Sequence, residues 1–132
     1  MVGSAGIGLT GCDMGVSYFL PRMVGSSVAA EYLLTGRFLD AQRGHALGLF
    51  NRVAPLEELQ QEAESLAQDM LRTTPLGLRL TKEALGHAVD AGSLEAVIAM
   101  EDRQQVLCTQ SEDFREGVQA FLEKRPPVYR GG

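Results

Sequence analysis

Gly11-Cys12-Asp13-Met14-Gly15-Val16-Ser17-Tyr18-Phe19-Leu20-Pro21-Arg22, closed by Val24-Gly25 and followed by Leu33-Leu34-Thr35-Gly36, is the stretch on which this chain turns. Gly11 and Gly15 flank Asp13, so the backbone there can turn sharply and approach a ligand closely. A short helix is expected from about Met14 to Met23. Pro21 fits poorly inside it and predicts a kink or an end nearby. Ser26 or Ser27 can cap the next helix, which runs through Ala29, Ala30, Tyr32 and Leu33 and stops at Gly36. Before this stretch, Met1 to Gly8 is small and glycine-rich and reads as a flexible lead-in.

Beyond it the helical signals continue. Asp40 is a good N-cap for a short helix through Ala46, ended by Gly48. Leu49 to Val53 is a short apolar run, either a lone strand or an extended link. Pro55 is expected to begin the clearest helix, with Glu57 and Glu58 in its first turn, where the macrodipole favours negative charge. Leu59, Ala63, Leu66, Ala67 and Met70 then recur at helical spacing. Thr74 caps another helix with Leu76, Leu80, Ala84 and Ala88 on one side, broken at Asp90-Ala91-Gly92. Ser93 caps a third, to about Cys108. Ser111 opens the last, with Glu112 and Asp113 explained by its start and Phe114, Val118, Phe121 and Leu122 as its stripe. Lys124 and Arg125 suit its C-terminal end, and Pro126-Pro127 stops it. Alternating strand patterns and repeats are absent, so the expected fold class is mainly α.

The 132 residues are 45% apolar and 22% charged, an ordinary globular composition sized for one modest domain, 1–132. Within it, 1–53 reads as core remnant and connecting helices and 54–132 as a helical, oligomerising region. A net charge of −5 and a pI near 5.0 argue against a general nucleic-acid binder. Cys12 and Cys108 read as two reduced, buried small side chains, with no disulfide framework or metal pattern. No apolar run approaches a membrane span and no secretory signal is apparent, so a cytoplasmic protein is the default expectation.

The segments Gly8-Leu9, Gly11 to Gly15, Leu20-Pro21-Arg22, Val24-Gly25, Leu34-Thr35-Gly36, Ala46-Leu47-Gly48-Leu49, Arg52-Val53, Thr81-Lys82-Glu83-Ala84 and Phe121-Leu122-Glu123-Lys124-Arg125 resemble, in order and spacing, the crotonase superfamily of enoyl-CoA hydratases and isomerases. The resemblance runs from about Gly6 to the end. In that family the glycine-rich passage lies mid-chain, so the sequence looks like the C-terminal helical portion of a crotonase-like fold. It would lack most of the N-terminal ββα spiral core, as a truncated form. The resemblance implies that the other half supplies the first oxyanion-hole amide and the usual first catalytic glutamate. These helices would pack on that half, form trimers or hexamers, and help bind coenzyme A. A thioester enolate needs backbone N–H donors aimed at its developing charge, and a carboxylate to move a proton.

Many hydratases carry a second glutamate just before the glycine-rich segment. That position falls near Ser4, which departs from the hydratase pattern. Asp13 is the acid of the passage, and the dienoyl-CoA isomerase branch places a proton-transferring aspartate similarly. Asp13 is thus the candidate catalytic acid or base, unless it is a turn or helix-capping aspartate. Phe121 and Lys124 match an aromatic wall and a lysine near coenzyme A, a mobile ammonium suiting an anionic phosphate. Their alternatives are a partly core aromatic and a cation at a helix C-terminus. Arg22 reads as structural, His45 and His87 as packed or solvated without acidic partners, and Glu101-Asp102-Arg103 as a solvated face or subunit contact. No cofactor is implied beyond the coenzyme A of an acyl-CoA thioester substrate. Two functions follow: an enoyl-CoA hydratase/isomerase-like enzyme of fatty acyl-CoA metabolism, or a catalytically inactive helical oligomerisation module.

Overall fold

The computed structural model describes residues 8–132; the lead-in before Gly8, with the Ser4 position, lies outside the described residues. Among those residues there are seven α-helices and no strand. They are α1 (Val16–Val24), α2 (Ser26–Thr35), α3 (Ala41–Ala46), α4 (Leu59–Met70), α5 (Pro75–Ala88), α6 (Leu94–Thr109) and α7 (Glu112–Glu123). The mainly α expectation holds. The chain divides into two compact units, one ending at Leu59 and the other starting at Gln60.

In the first unit α1 packs against α2. A Cβ on Gly11 would lie 2.2 Å from the Leu33 carbonyl oxygen, so only glycine lets the loop run this close to α2. Pro21 does not end α1. The helix runs to Val24, and the Pro21 carbonyl accepts the Gly25 N–H at 2.9 Å. Ser26 and Ser27 are not caps, since Gly25 at φ 84° holds that position and brings no side chain. Asp40 caps α3 as expected, accepting from the Arg43 N–H at 2.7 Å. The run 49–53 is no strand but an irregular link with bends at 49 and 51, and His45 Nδ1 lies 2.9 Å from the Phe50 carbonyl oxygen.

The helix α4 begins at Leu59, the last residue of the first unit, and not at Pro55. The Glu58 N–H closes a single turn onto the Pro55 carbonyl before the α4 ladder starts, so Glu57 and Glu58 precede the helix. Thr74, Ser93 and Ser111 each accept an N–H three residues on, from Gly77, Ala96 and Phe114, and so cap α5, α6 and α7. α5 packs on α6, and α6 on α7.

Little apolar surface is covered. Among the described residues Ala29 and Ala120 are the buried apolar side chains, each 1% exposed. Cys12 is exposed and Cys108 half-buried, both free, which corrects the expectation that both are buried. Small thiols hide only where a core surrounds them. No helix among the described residues is long and apolar enough to cross a membrane.

Candidate functional site

Asp13 stands on a strained turn at the start of α1. Met14 and Gly15 both take positive φ, at 49° and 83°, and the Asp13 carbonyl accepts from the Val16 N–H at 3.0 Å. Two left-handed residues in succession are costly unless something holds them, and here the second is glycine. Asp13 Oδ1 accepts from the Met14 N–H at 2.8 Å, so the carboxylate braces the strained residue. It does not cap α1, whose N-cap is Gly15 without a side-chain bond. Asp13 is exposed, and among the described residues its second oxygen has no hydrogen-bond partner.

One turn further, Arg22 donates to the Tyr18 carbonyl at 2.9 Å, and its guanidinium lies 3.6 Å from the Tyr18 ring centroid. This cation–π contact gives Arg22 the structural role expected of it. Tyr18 also meets Phe19 edge to face, 5.0 Å between centroids.

Phe121 and Lys124 belong to the second unit, at the end of α7, and the structure brings these two together. The Lys124 N–H donates to the Phe121 carbonyl at 3.2 Å. Lys124 takes the left-handed conformation (φ 56°, ψ 37°) that terminates the helix. Phe121 is 82% exposed, so no residue among those described covers it as a core side chain. The stripe it shares with Leu122, 69% exposed, has no cover among the described residues.

Around this turn lies a carboxylate framework that sequence reading missed. Arg125 forks onto Glu116, Nη1 to Oε1 at 2.6 Å and Nη2 to Oε2 at 2.9 Å, while its Nε meets Glu123 Oε2 at 2.6 Å. Glu116 also accepts the Val128 N–H at 2.8 Å. The Arg125 hydrogen bonds, with that amide second, hold the Glu116 carboxyl down at about 2. Glu123 is lowered by the Gln119 amide and then by Arg125, and Arg125 is raised in turn.

Asp113 is 3% exposed and binds the chain's last residues, accepting from the Arg130 and Gly131 N–H groups at 2.7 and 2.9 Å. The Gly132 carbonyl accepts the N–H groups of Glu112 and Asp113, two donors the start of α7 would otherwise leave unpaired. The open groove beside the tail is lined by Asp113, Arg115, Glu116, Arg125 and Arg130 among others. In it Asp113 is engaged by the tail, and Glu116 and Arg125 by each other.

The remaining candidates are peripheral. His87 has an acidic neighbour after all, Glu83 at 3.9 Å one turn back on the exposed face of α5. Glu101, Asp102 and Arg103 are exposed on α6. Among the described residues no three His, Cys, Asp or Glu side chains are grouped to hold a metal.

A family model described as enoyl-CoA hydratase/isomerase matches residues 3–132. The chain belongs to the enoyl-CoA hydratase/isomerase family. A probable enoyl-CoA hydratase of Mycobacterium tuberculosis is 40% identical over 129 residues, 96% of this chain and 45% of the relative. The 1,2-epoxyphenylacetyl-CoA isomerase of Escherichia coli is 35% identical over 119 residues, 90% of this chain and 45% of the relative. The crystal structure of an enoyl-CoA hydratase from Bacillus anthracis matches with TM-score 0.90 at 31% identity, covering 97% of this chain and 49% of that one. The chain thus spans about half the length of the relatives it matches. What it spans is the C-terminal helical portion of a crotonase fold. Its relatives include a hydratase and an isomerase, so membership alone selects neither chemistry.

Proposed function

We propose that this chain supplies the coenzyme-A-facing helical portion of an enoyl-CoA hydratase/isomerase acting on fatty acyl-CoA thioesters in the cytoplasm. The supporting observation is the end of α7. There an 82% exposed aromatic ring and a lysine in a fixed turn stand within one helical turn of each other. In this reading Phe121 lines the coenzyme A path and Lys124 receives a phosphate, where an ammonium acts as a mobile point charge. Asp13, braced on one oxygen and open on the other, is the acid or base that moves the proton of the thioester enolate. No cofactor takes part beyond the coenzyme A carried by the substrate.

Activity of the 132 residues alone is not part of this reading. In this reading the first oxyanion amide and the first glutamate belong to the half this chain does not span. One such donor is worth roughly 3–4 kcal/mol of barrier. A second reading, a non-catalytic oligomerising module, is favoured by the uncovered apolar stripe of α7. Trimers or hexamers fit both readings.

The test is a titration with free coenzyme A, followed by amide NMR shifts, beside assays of crotonyl-CoA hydration and dienoyl-CoA isomerisation. Shifts at 119–125 that vanish in Phe121→Ala support the acyl-CoA reading. Turnover lost in Asp13→Ala would assign the proton transfer. Saturating coenzyme A that moves no α7 amide, with a concentration-dependent oligomer by sedimentation, sinks the first reading in favour of the module.

A further inference from the structure

Phe19 is exposed and yet held in place by two contacts. Its ring lies against Gly15, where an added Cβ would come within 3.2 and 3.4 Å of two ring carbons, so a residue without a side chain is what lets the ring fold back over the strained turn. The ring also meets Tyr18 edge to face, with 5.0 Å between centroids and 83° between planes. Tyr18 is fixed in turn by the Arg22 guanidinium, 3.6 Å from its ring centroid. After these contacts Phe19 is still 57% exposed. Gly15 stands two residues from Asp13, a span of at most about 7 Å. Met14, between them, is 95% exposed and takes a positive φ. The turn that carries the open oxygen of Asp13 is thus flanked by apolar side chains facing water. Large apolar groups left in water add little to the fold, and a methionine at positive φ costs it; such strain belongs where a site needs it.

We infer that Phe19 is a specificity-determining residue: its ring is the surface along which the alkyl part of an acyl thioester lies when the reacting carbons reach Asp13. The inference rests on the reading of Asp13 as the acid or base that moves the proton. A ring already held by Gly15 and Tyr18 loses little freedom when a ligand settles on it, so apolar contact converts into affinity at low ordering cost. The ring offers no hydrogen-bond or ionic partner, so it favours a plain hydrocarbon chain and gains with each methylene laid across it.

The test uses acyl thioesters of N-acetylcysteamine, which carry the thioester and its chain without the nucleotide. The full chain is titrated with the acetyl, butyryl and hexanoyl compounds, and the amides at 13–19 are followed by NMR. A fully buried methylene tightens binding roughly fourfold; one covered on a single side should give about twofold. The parent should therefore bind the hexanoyl compound about sixteenfold more tightly than the acetyl one. In Phe19→Ala that ratio should fall to about threefold or less, with acetyl binding unchanged. Phe19→Leu keeps a smaller apolar side chain and should lie between, which preserves the comparison if the alanine variant does not fold. A parent whose amides at 13–19 do not respond to chain length, or a Phe19→Ala series that matches the parent, overturns the inference. Free coenzyme A is titrated in parallel. Absence of shifts at 119–125 counts against the α7 part of the acyl-CoA reading alone, because the thioester series contains no nucleotide.

Discussion

Removing the Asp113 carboxylate should release the tail and cost more than any other single acid in the second unit. The side chain is 3% exposed and accepts two backbone N–H groups, at 2.7 Å from Arg130 and 2.9 Å from Gly131. Hydrogen bonds to a charged group contribute about 1.5–3 kcal/mol each, and a buried donor left unpaired costs a further penalty. In Asp113→Ala the freed tail can swing into water, so the orphaned donors recover solvent and the full sum is not reached. The expected loss is about 2–4 kcal/mol. Asp113→Asn keeps one acceptor oxygen and should lose about half as much. Two measurements separate local from global effects. Urea unfolding gives the total, and amide hydrogen exchange at Arg130 and Gly131 gives the tail. A loss of about 2 kcal/mol felt only by the tail would speed those two amides about thirtyfold. If both amides keep their parent exchange rates and the unfolding midpoint barely moves, the tail is held by something other than this carboxylate.

Gly11→Ala places a Cβ against the α2 backbone at Leu33 and should destabilise the first unit by about 1–3 kcal/mol, while Gly86→Ala, with open space around it, should stabilise α5 by up to about 1 kcal/mol; thermal melts compare the two. Lys124→Gly relieves a left-handed lysine and should raise stability by up to about 1 kcal/mol while weakening coenzyme A binding, which calorimetry reads alongside the melt. The Glu116 carboxyl is depressed to about 2, below its ordinary value, so its contribution is present above the ordinary carboxylate range and is lost as pH falls toward 2. The Val128 amide, bonded to Glu116, should therefore titrate with a midpoint near 2 by NMR; a midpoint in the ordinary carboxylate range would show that the Arg125 fork does not persist in solution.

Helix boundaries set by a side chain three residues from its partner were legible in the sequence. Asp40, Thr74, Ser93 and Ser111 each cap the helix assigned to them, because a cap bond is local and its residue type is diagnostic. Boundaries set by backbone alone were not. Gly25 displaces Ser26 and Ser27, and an isolated turn at Pro55 delays α4 to Leu59. Asp113 shows a deeper limit. An acid in the first turn is fully accounted for by the helix dipole, so nothing in the sequence signalled a contact seventeen residues away at Arg130. The fork of Arg125 onto Glu116 is likewise nonlocal, nine residues apart. Of the candidate site, Phe121 and Lys124 were singled out by the family resemblance, and spacing placed both near one helix end. The left-handed turn that Lys124 takes was not legible, since nothing in a lysine's residue type marks it as a helix terminator.

Apolar stripes tell which face of a helix seeks cover, not whether cover is present, and this chain separates the two questions. Phe114, Val118, Phe121 and Leu122 lie on one helix at 42%, 45%, 82% and 69% exposure. Helices patterned this way bury their stripes against a second layer, because one layer cannot enclose a core. Phe121 is the most exposed of the four and the one next to the Lys124 turn. In the proposed reading, an exposed aromatic ring one helical turn from Lys124 would meet a ligand that is apolar at one end and anionic at the other, the polarity of an acyl-CoA, and the exposure that leaves α7 without a core would be the exposure that ligand uses.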